Sequence, residues 1–150
     1  MKKHQLRNMF IKTAIALTMM ISAAWLSGCS RQQAETEQKV VHVSEYGNDE
    51  TGTGTWYAPY ATISHAAETE PGSLILVGGG EYEPFELGPG CSGSEDSPTV
   101  IRPAEGAKVV IPVEDEAGIF LKNVQNISVE GLETVGGVYA IEYLSTPEAG

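Results

Sequence analysis

Beyond residue 70 the chain is cut into strand-sized apolar segments separated by corner-forming residues, and no stretch of helical period is long enough to bury a face. The segments are residues 99–102, 109–113, 119–122, 127–129 and 138–144. Between them stand Ala104-Glu105-Gly106, Glu114-Asp115-Glu116-Ala117-Gly118, Asn123, Asn126, Gly131 and Gly136-Gly137. Such residues turn a chain either by accepting positive φ or by bonding their own backbone. Many short strands with Gly and Asn corners predict an all-β fold, and the lack of helical crossovers argues against an alternating α/β sheet.

The preceding stretch supplies the one helix. Val40, Val41 and Val43 alternate with His42 and Ser44, the period of a half-buried strand, and Tyr46-Gly47-Asn48-Asp49 turns the chain into a Gly/Thr-rich loop. Pro59 fixes the approach to Thr62, whose hydroxyl is placed to cap a helix over residues 63–69, with Ile63, Ala66 and Ala67 on one face. Pro71-Gly72 stops it. A helix this short does not persist alone, so it is expected to dock on the open end of a sheet stack. Leu74-Ile75-Leu76-Val77 reads as a strand buried in a parallel sheet. Gly78-Gly79-Gly80 reads as a corner, because neither a helix nor Gly-Lys-Ser/Thr follows it as a phosphate loop requires.

A β-sandwich prefers hairpins and strict alternation, whereas a stacked parallel architecture prefers very short strands with frequent corners. Residues 118–133, Gly-Ile-Phe-Leu-Lys-Asn-Val-Gln-Asn-Ile-Ser-Val-Glu-Gly-Leu-Glu, favour the second. They give an apolar strand, an Asn corner, a second strand, and Gly-Leu opening another side. Together with the strand, loop and small helix of residues 41–86, this segment resembles the right-handed parallel β-helix superfamily of pectate lyases and other polysaccharide-active proteins, over about residues 40–143. The resemblance implies an all-β, single-stranded parallel β-helix closed by a short amino-terminal capping helix, with Ile127 and Val129 stacked on earlier inward residues and Asn126 in an Asn ladder. It further implies export, a groove that takes extended sugar chains, and often calcium. In the lyases of this superfamily an Arg or Lys abstracts the proton beside a uronate carboxyl while Asp residues hold calcium. Those groups come from coils further along, no residue here aligns with them, and none is carried over.

The first residues read as an address. Lys2, Lys3, Arg7 and Lys12 make a basic region, residues 14–26 an apolar run too short for a permanent span, and Leu26-Ser27-Gly28-Cys29 resembles a bacterial lipobox. The expectation is a lipoprotein signal over 1–28, lipidation of Cys29, a polar tether over 29–39 and a folded segment over 40–150, anchored in the bacterial cell envelope, at the cell surface or secreted. Removal of the signal takes the formal charge from −11 to −15, since five Lys and Arg then face twenty Asp and Glu. So acidic a surface excludes a nucleic-acid footprint and repels a polyanion such as pectate unless a divalent cation bridges the carboxylates. No carboxy-terminal cap is legible before Gly150, so this reading expects either more coils in a longer frame or self-association through the uncapped last coil.

Candidate sites follow from residue type. Trp56 and Tyr57 are the aromatics expected to stay exposed and able to stack on sugar, while Tyr60, Tyr82 and Phe85 suit cap packing. Glu114, Asp115 and Glu116 are the candidate calcium ligands, although calcium takes 6 to 8 oxygens and consecutive loop acids supply only some of them. Asp49 with Glu50 is a second acidic pair. Lys122 and Arg102 are the strand cations available to a lyase, with outward display as the ordinary alternative. Cys91 has no base near it in sequence and reads as a buried small hydrophobe. The function expected is engagement of extracellular polysaccharide, with pectate or another uronate polymer as the candidate, by the front part of a lyase-like or hydrolase-like protein whose first 150 residues are inactive. A non-enzymatic adhesion lipoprotein is the alternative.

Overall fold

The computed structural model describes residues 37–114 and 117–145. The predicted signal segment, Cys29, nearly all of the tether, and the candidate calcium ligands Asp115 and Glu116 lie outside the described residues. The described chain runs β1 (Val40–Val43), α1 (Ile63–Thr69), β2 (Leu74–Val77), β3 (Gly80–Glu81), β4 (Phe85–Leu87), β5 (Thr99–Pro103), β6 (Val109–Val113), β7 (Ala117–Lys122), β8 (Ile127–Val129), β9 (Glu133–Gly136) and β10 (Tyr139–Leu144). A single 3-10 turn, Pro89–Cys91, follows β4.

Every pairing between these strands is parallel. They form a first sheet in the order β1-β2-β5-β8, a second in the order β3-β6-β9 and a third in the order β4-β7-β10. From β2 onward the chain visits the first, second and third sheets in rotation, so sheet neighbours are three strands apart in sequence. Among the described residues the fold is mostly β, with one α-helix and parallel sheets, as an all-β class requires.

Strands this short gain little from their own length, and the stacking of like residues between them supplies the stability. In the first sheet Val41 lies opposite Ile75, Ile75 opposite Ile101, and Ile101 opposite Val129. In the third, Phe85 faces Ile119 and Ile119 faces Ile141. Neighbouring strands lie about 4.8 Å apart, which puts each inward side chain in contact with the next. Ile75, Ile101, Ile111 and Leu87 are fully buried, each worth roughly 1.5–3 kcal/mol of transfer free energy.

The two ends differ. At the β1 end Thr62 is extended, its hydroxyl accepts the His65 amide at 3.3 Å, and α1 lays Ile63, Ala66 and Ala67 over the stack. Ser64 ties the helix down by donating its hydroxyl to the Glu86 carbonyl on β4 at 3.3 Å. At the other end β8, β9 and β10 are sheet edges, and Val135, Ile141, Tyr143 and Leu144 are exposed.

Several details depart from the sequence expectations. Leu74 and Leu76 are half-buried on the outer face of β2, so the continuous apolar run buries one face fully and the other in part. Gly80 opens β3, and that strand, β4 and β9 are too short or too polar to read in the sequence. Asn123 and Asn126 do turn corners at positive φ, both at 51°. The Asn126 side chain donates to the Gly93 carbonyl at 3.3 Å, so its bond joins it to the preceding corner's backbone and not to another Asn.

Candidate functional site

The outer face of the first sheet carries a small concave site. His42 on β1 and Leu76 on β2 are register partners, and Arg102 on β5 continues the row. Strand alternation turns these side chains outward because Val41, Val43, Ile75, Val77 and Ile101 occupy the inward positions.

A tight loop brings an aromatic ring onto that row. Ala58 N donates to Thr55 O at 3.1 Å and Thr53 N to Ala58 O at 2.8 Å, so Trp56 and Tyr57 occupy the tip of a turn. The loop is fastened to β1 by His42 N to Gly54 O at 2.8 Å and Tyr60 N to His42 O at 3.0 Å. Gly54 adopts φ +68°, and a Cβ there would lie 2.7 Å from the Tyr60 ring and 2.9 Å from Val41, so only glycine lets the loop approach this closely. As a result Trp56 meets His42 edge to face, with centroids 5.5 Å apart and planes at 84°. Trp56 nonetheless remains 70% exposed and Tyr57 95% exposed.

A cavity of about 180 Å³ opens beneath Trp56, lined by His42, Ser44, Pro59, Leu76 and Ala104. No Asp, Glu, Lys or Arg lines it. Tyr57 does not reach it. The sequence placed Trp56 and Tyr57 together as sugar platforms, and the structure separates them into a ring over a cavity and a ring in solvent. His42 and Leu76 carried no sequence signal for this site, because their placement depends on parallel register between distant strands.

The other candidates fall elsewhere. Glu114 lines an open cavity of about 700 Å³ with Glu83, Pro84, Pro112 and Phe120, at the corner between the second and third sheets. A neighbouring hollow of about 420 Å³ shares Glu83 and Pro84 and reaches Glu45 and the start of α1. Among the described residues no three His, Cys, Asp or Glu side chains gather where a metal ion could be held. Asp49 is committed to the cap, since its carboxylate accepts the Ala61 and Thr62 amides and the Thr62 hydroxyl.

Of the described cations, Lys39 pairs with Glu70 at 2.6 Å, Lys108 with Glu133 at 3.0 Å and Lys122 with Glu86 at 2.6 Å. Lys122 is therefore tied by its ammonium to a carboxylate, and Arg102 makes no ion pair among the described residues. Cys91 is buried, and that burial pushes its thiol pKa up, which keeps it an inert packing group. His65 packs edge to face on the buried Tyr60, 4.9 Å between centroids, as part of the cap.

Two solved structures are similar to part of this chain. One, described as a "Glycoside hydrolase", is 36% identical over 49% of this chain and 15% of its own, with a TM-score of 0.44. The other, described as "The complex structure of XylC with xylose", is 37% identical over 49% of this chain and 11% of its own, with a TM-score of 0.43. The chain thus spans a small fraction of the length of either. No protein-family model matches it, and no curated protein does.

Proposed function

We propose that this chain is an exported, lipid-anchored protein of the cell envelope whose folded segment is the capped opening of a right-handed parallel β-helix and engages extracellular polysaccharide. The observation that carries the reading is Trp56, held 70% exposed over a concave site by a loop fastened to β1, where a sugar ring can stack. The rotation of short parallel strands through three sheets supports the β-helix, because it offers the long straight flanks that an extended glycan follows.

Binding is the activity assigned to these residues. Lys122 is held by Glu86 and no acid-base pair stands over the Trp56 cavity, so lyase or hydrolase chemistry belongs to further coils if the protein has them. Lipid on Cys29 would tether the segment through a short polar linker, close to the surface that carries its ligand.

Two measurements test this reading. The protein from Cys29 onward should be retarded in native gels cast with soluble plant or bacterial polysaccharides, and migration unchanged by every glycan tried would instead favour adhesion to a protein partner. Cys29→Ser in the full chain should move the protein from the membrane fraction to the soluble one, and retention in the membrane would remove the lipid anchor.

A further inference from the structure

We infer that the cavity under Trp56 is a single-ring subsite for an uncharged pyranose, with His42 and Ser44 as its hydrogen-bonding groups. The inference rests on the polysaccharide reading above and deepens it by naming the sugar class.

Size comes first. At about 180 Å³ the cavity lies well below the roughly 300–1,000 Å³ that enclose drug-sized ligands, and it has room for one ring of a chain. Trp56, Pro59, Leu76 and Ala104 give it apolar walls suited to the C–H faces of a sugar. Its polar groups are the unusual part. The His42 ring nitrogens make no hydrogen bond to any described residue, although the ring itself is fixed by its edge-to-face contact with Trp56. Ser44 Oγ accepts the Tyr46 amide at 3.3 Å, which leaves its own proton to donate. An imidazole with one donor and one acceptor nitrogen, beside a free hydroxyl proton, matches the vicinal hydroxyls of a neutral sugar.

Charge decides the class. The chain is strongly acidic, at −11 overall, yet no Asp, Glu, Lys or Arg side chain lines this cavity. A uronate ring would bring its carboxylate here with no Lys or Arg to pair it and only the His42 imidazole beside it, which is costly. Arg102, the cation that makes no ion pair among the described residues, stands one strand beyond Leu76 and does not line the cavity.

The test is calorimetric titration of the protein from Cys29 onward with cellotetraose, xylotetraose, mannotetraose and tetragalacturonate. At least one neutral tetrasaccharide should bind. Trp56→Ala should weaken that binding at least tenfold and His42→Gln severalfold, while Tyr57→Ala and Arg102→Gln leave it within twofold. The melting temperature of each variant, unchanged, will show that the fold is kept. Neutral binding that survives Trp56→Ala would overturn the subsite while leaving the polysaccharide reading intact. Tighter binding of tetragalacturonate, lost in Arg102→Gln, would overturn the neutral class and move recognition to Arg102. If none of the four binds while a polysaccharide still retards the protein in native gels, the subsite falls and the broader reading stands; if gel migration is also unchanged, both fall.

Discussion

Asp49 and Thr62 are joined twice: the Thr62 amide reaches Asp49 Oδ1 at 3.1 Å and the Thr62 hydroxyl reaches Oδ2 at 2.8 Å. The same hydroxyl accepts the His65 amide, so one carboxylate orients the group that begins α1. Partial burial raises the Asp49 pKa, but the hydrogen bonds from Thr62 and Ala61, with His65 nearby, outweigh it and leave the carboxyl below its ordinary value. A depressed folded-state pKa means the stabilisation is complete above the unfolded pKa and is lost as pH falls through the folded one. Asp49→Asn should therefore melt below the parent protein at pH 7, and the gap should begin to narrow below about pH 4 and close as pH falls through the depressed folded-state pKa. A gap that persists unchanged at pH 3 would show that the carboxylate's charge has no part in fastening the cap.

Ile75 sits between Val41 and Ile101 in the inward ladder of the first sheet and has no exposed surface. Ile75→Ala removes contacts to both neighbouring rungs and should cost about 2–5 kcal/mol in denaturant unfolding. Val129→Ala, at the edge strand of the same ladder, should cost distinctly less, because Val129 is only half-buried. Equal losses at the two positions would contradict a stack whose packing is complete at one end and open at the other.

These positions show why part of the fold was legible. Residues such as Ile75, Ile101, Ile111 and Ile119 stand in apolar segments bounded by Gly, Pro, Asn or charged residues, and that pattern survives in the sequence because each strand must bury a face. The helix was legible for the same reason, with Thr62 before it and Pro71-Gly72 after. β3, β4 and β9 were not, since two to four residues with outward Glu81, Glu86 or Glu133 have no period, and only pairing to longer neighbours makes them strands. The site was half legible. Exposed Trp56 follows from its loop, but His42 under it follows from backbone bonds between residues 42, 54 and 60. Asp49 looked like a free loop acid because its partners lie twelve and thirteen residues on.

The Trp56 loop depends on Gly54. Gly54→Ala must place its new methyl against the Tyr60 ring and Val41 at a φ of +68°, where side chains are strained. The substitution should destabilise the protein by about 1–3 kcal/mol and shift Trp56 fluorescence toward that of a solvated indole. In the chain from Cys29 onward Trp56 is the only tryptophan, so the signal reports this loop alone. Wild-type emission and stability in the variant would show that the loop does not need its close approach to β1.

Glu114 lines the open cavity of about 700 Å³ at the corner between the second and third sheets, and among the described residues no three His, Cys, Asp or Glu side chains gather there. If calcium is structural, chelation with EDTA should lower the melting temperature, and an unchanged melt would remove calcium from the account; pectate with millimolar calcium should yield no ultraviolet absorbance from unsaturated uronide. A calcium-dependent rise in melting temperature that Glu114→Gln abolishes would put a structural ion in that loop. Product absorbance would overturn the assignment of binding without catalysis.

Ile141 continues the ladder of Phe85 and Ile119 but is 46% exposed, against 1% for Ile119, because none of the described strands lies on the far side of β10. Unpaired N–H and C=O groups beside Tyr139, Tyr143 and Leu144 make this edge a template for another strand. Sedimentation velocity of this chain should show association that grows with concentration. Ile141→Lys should suppress it, since each copy would have to desolvate an ammonium at the contact, while stability changes by less than about 1 kcal/mol because half the side chain already faces water. Association that persists in Ile141→Lys would place the contact elsewhere on the surface, and a sharp loss of stability would mean that Ile141 belongs to the packed core and not to its edge.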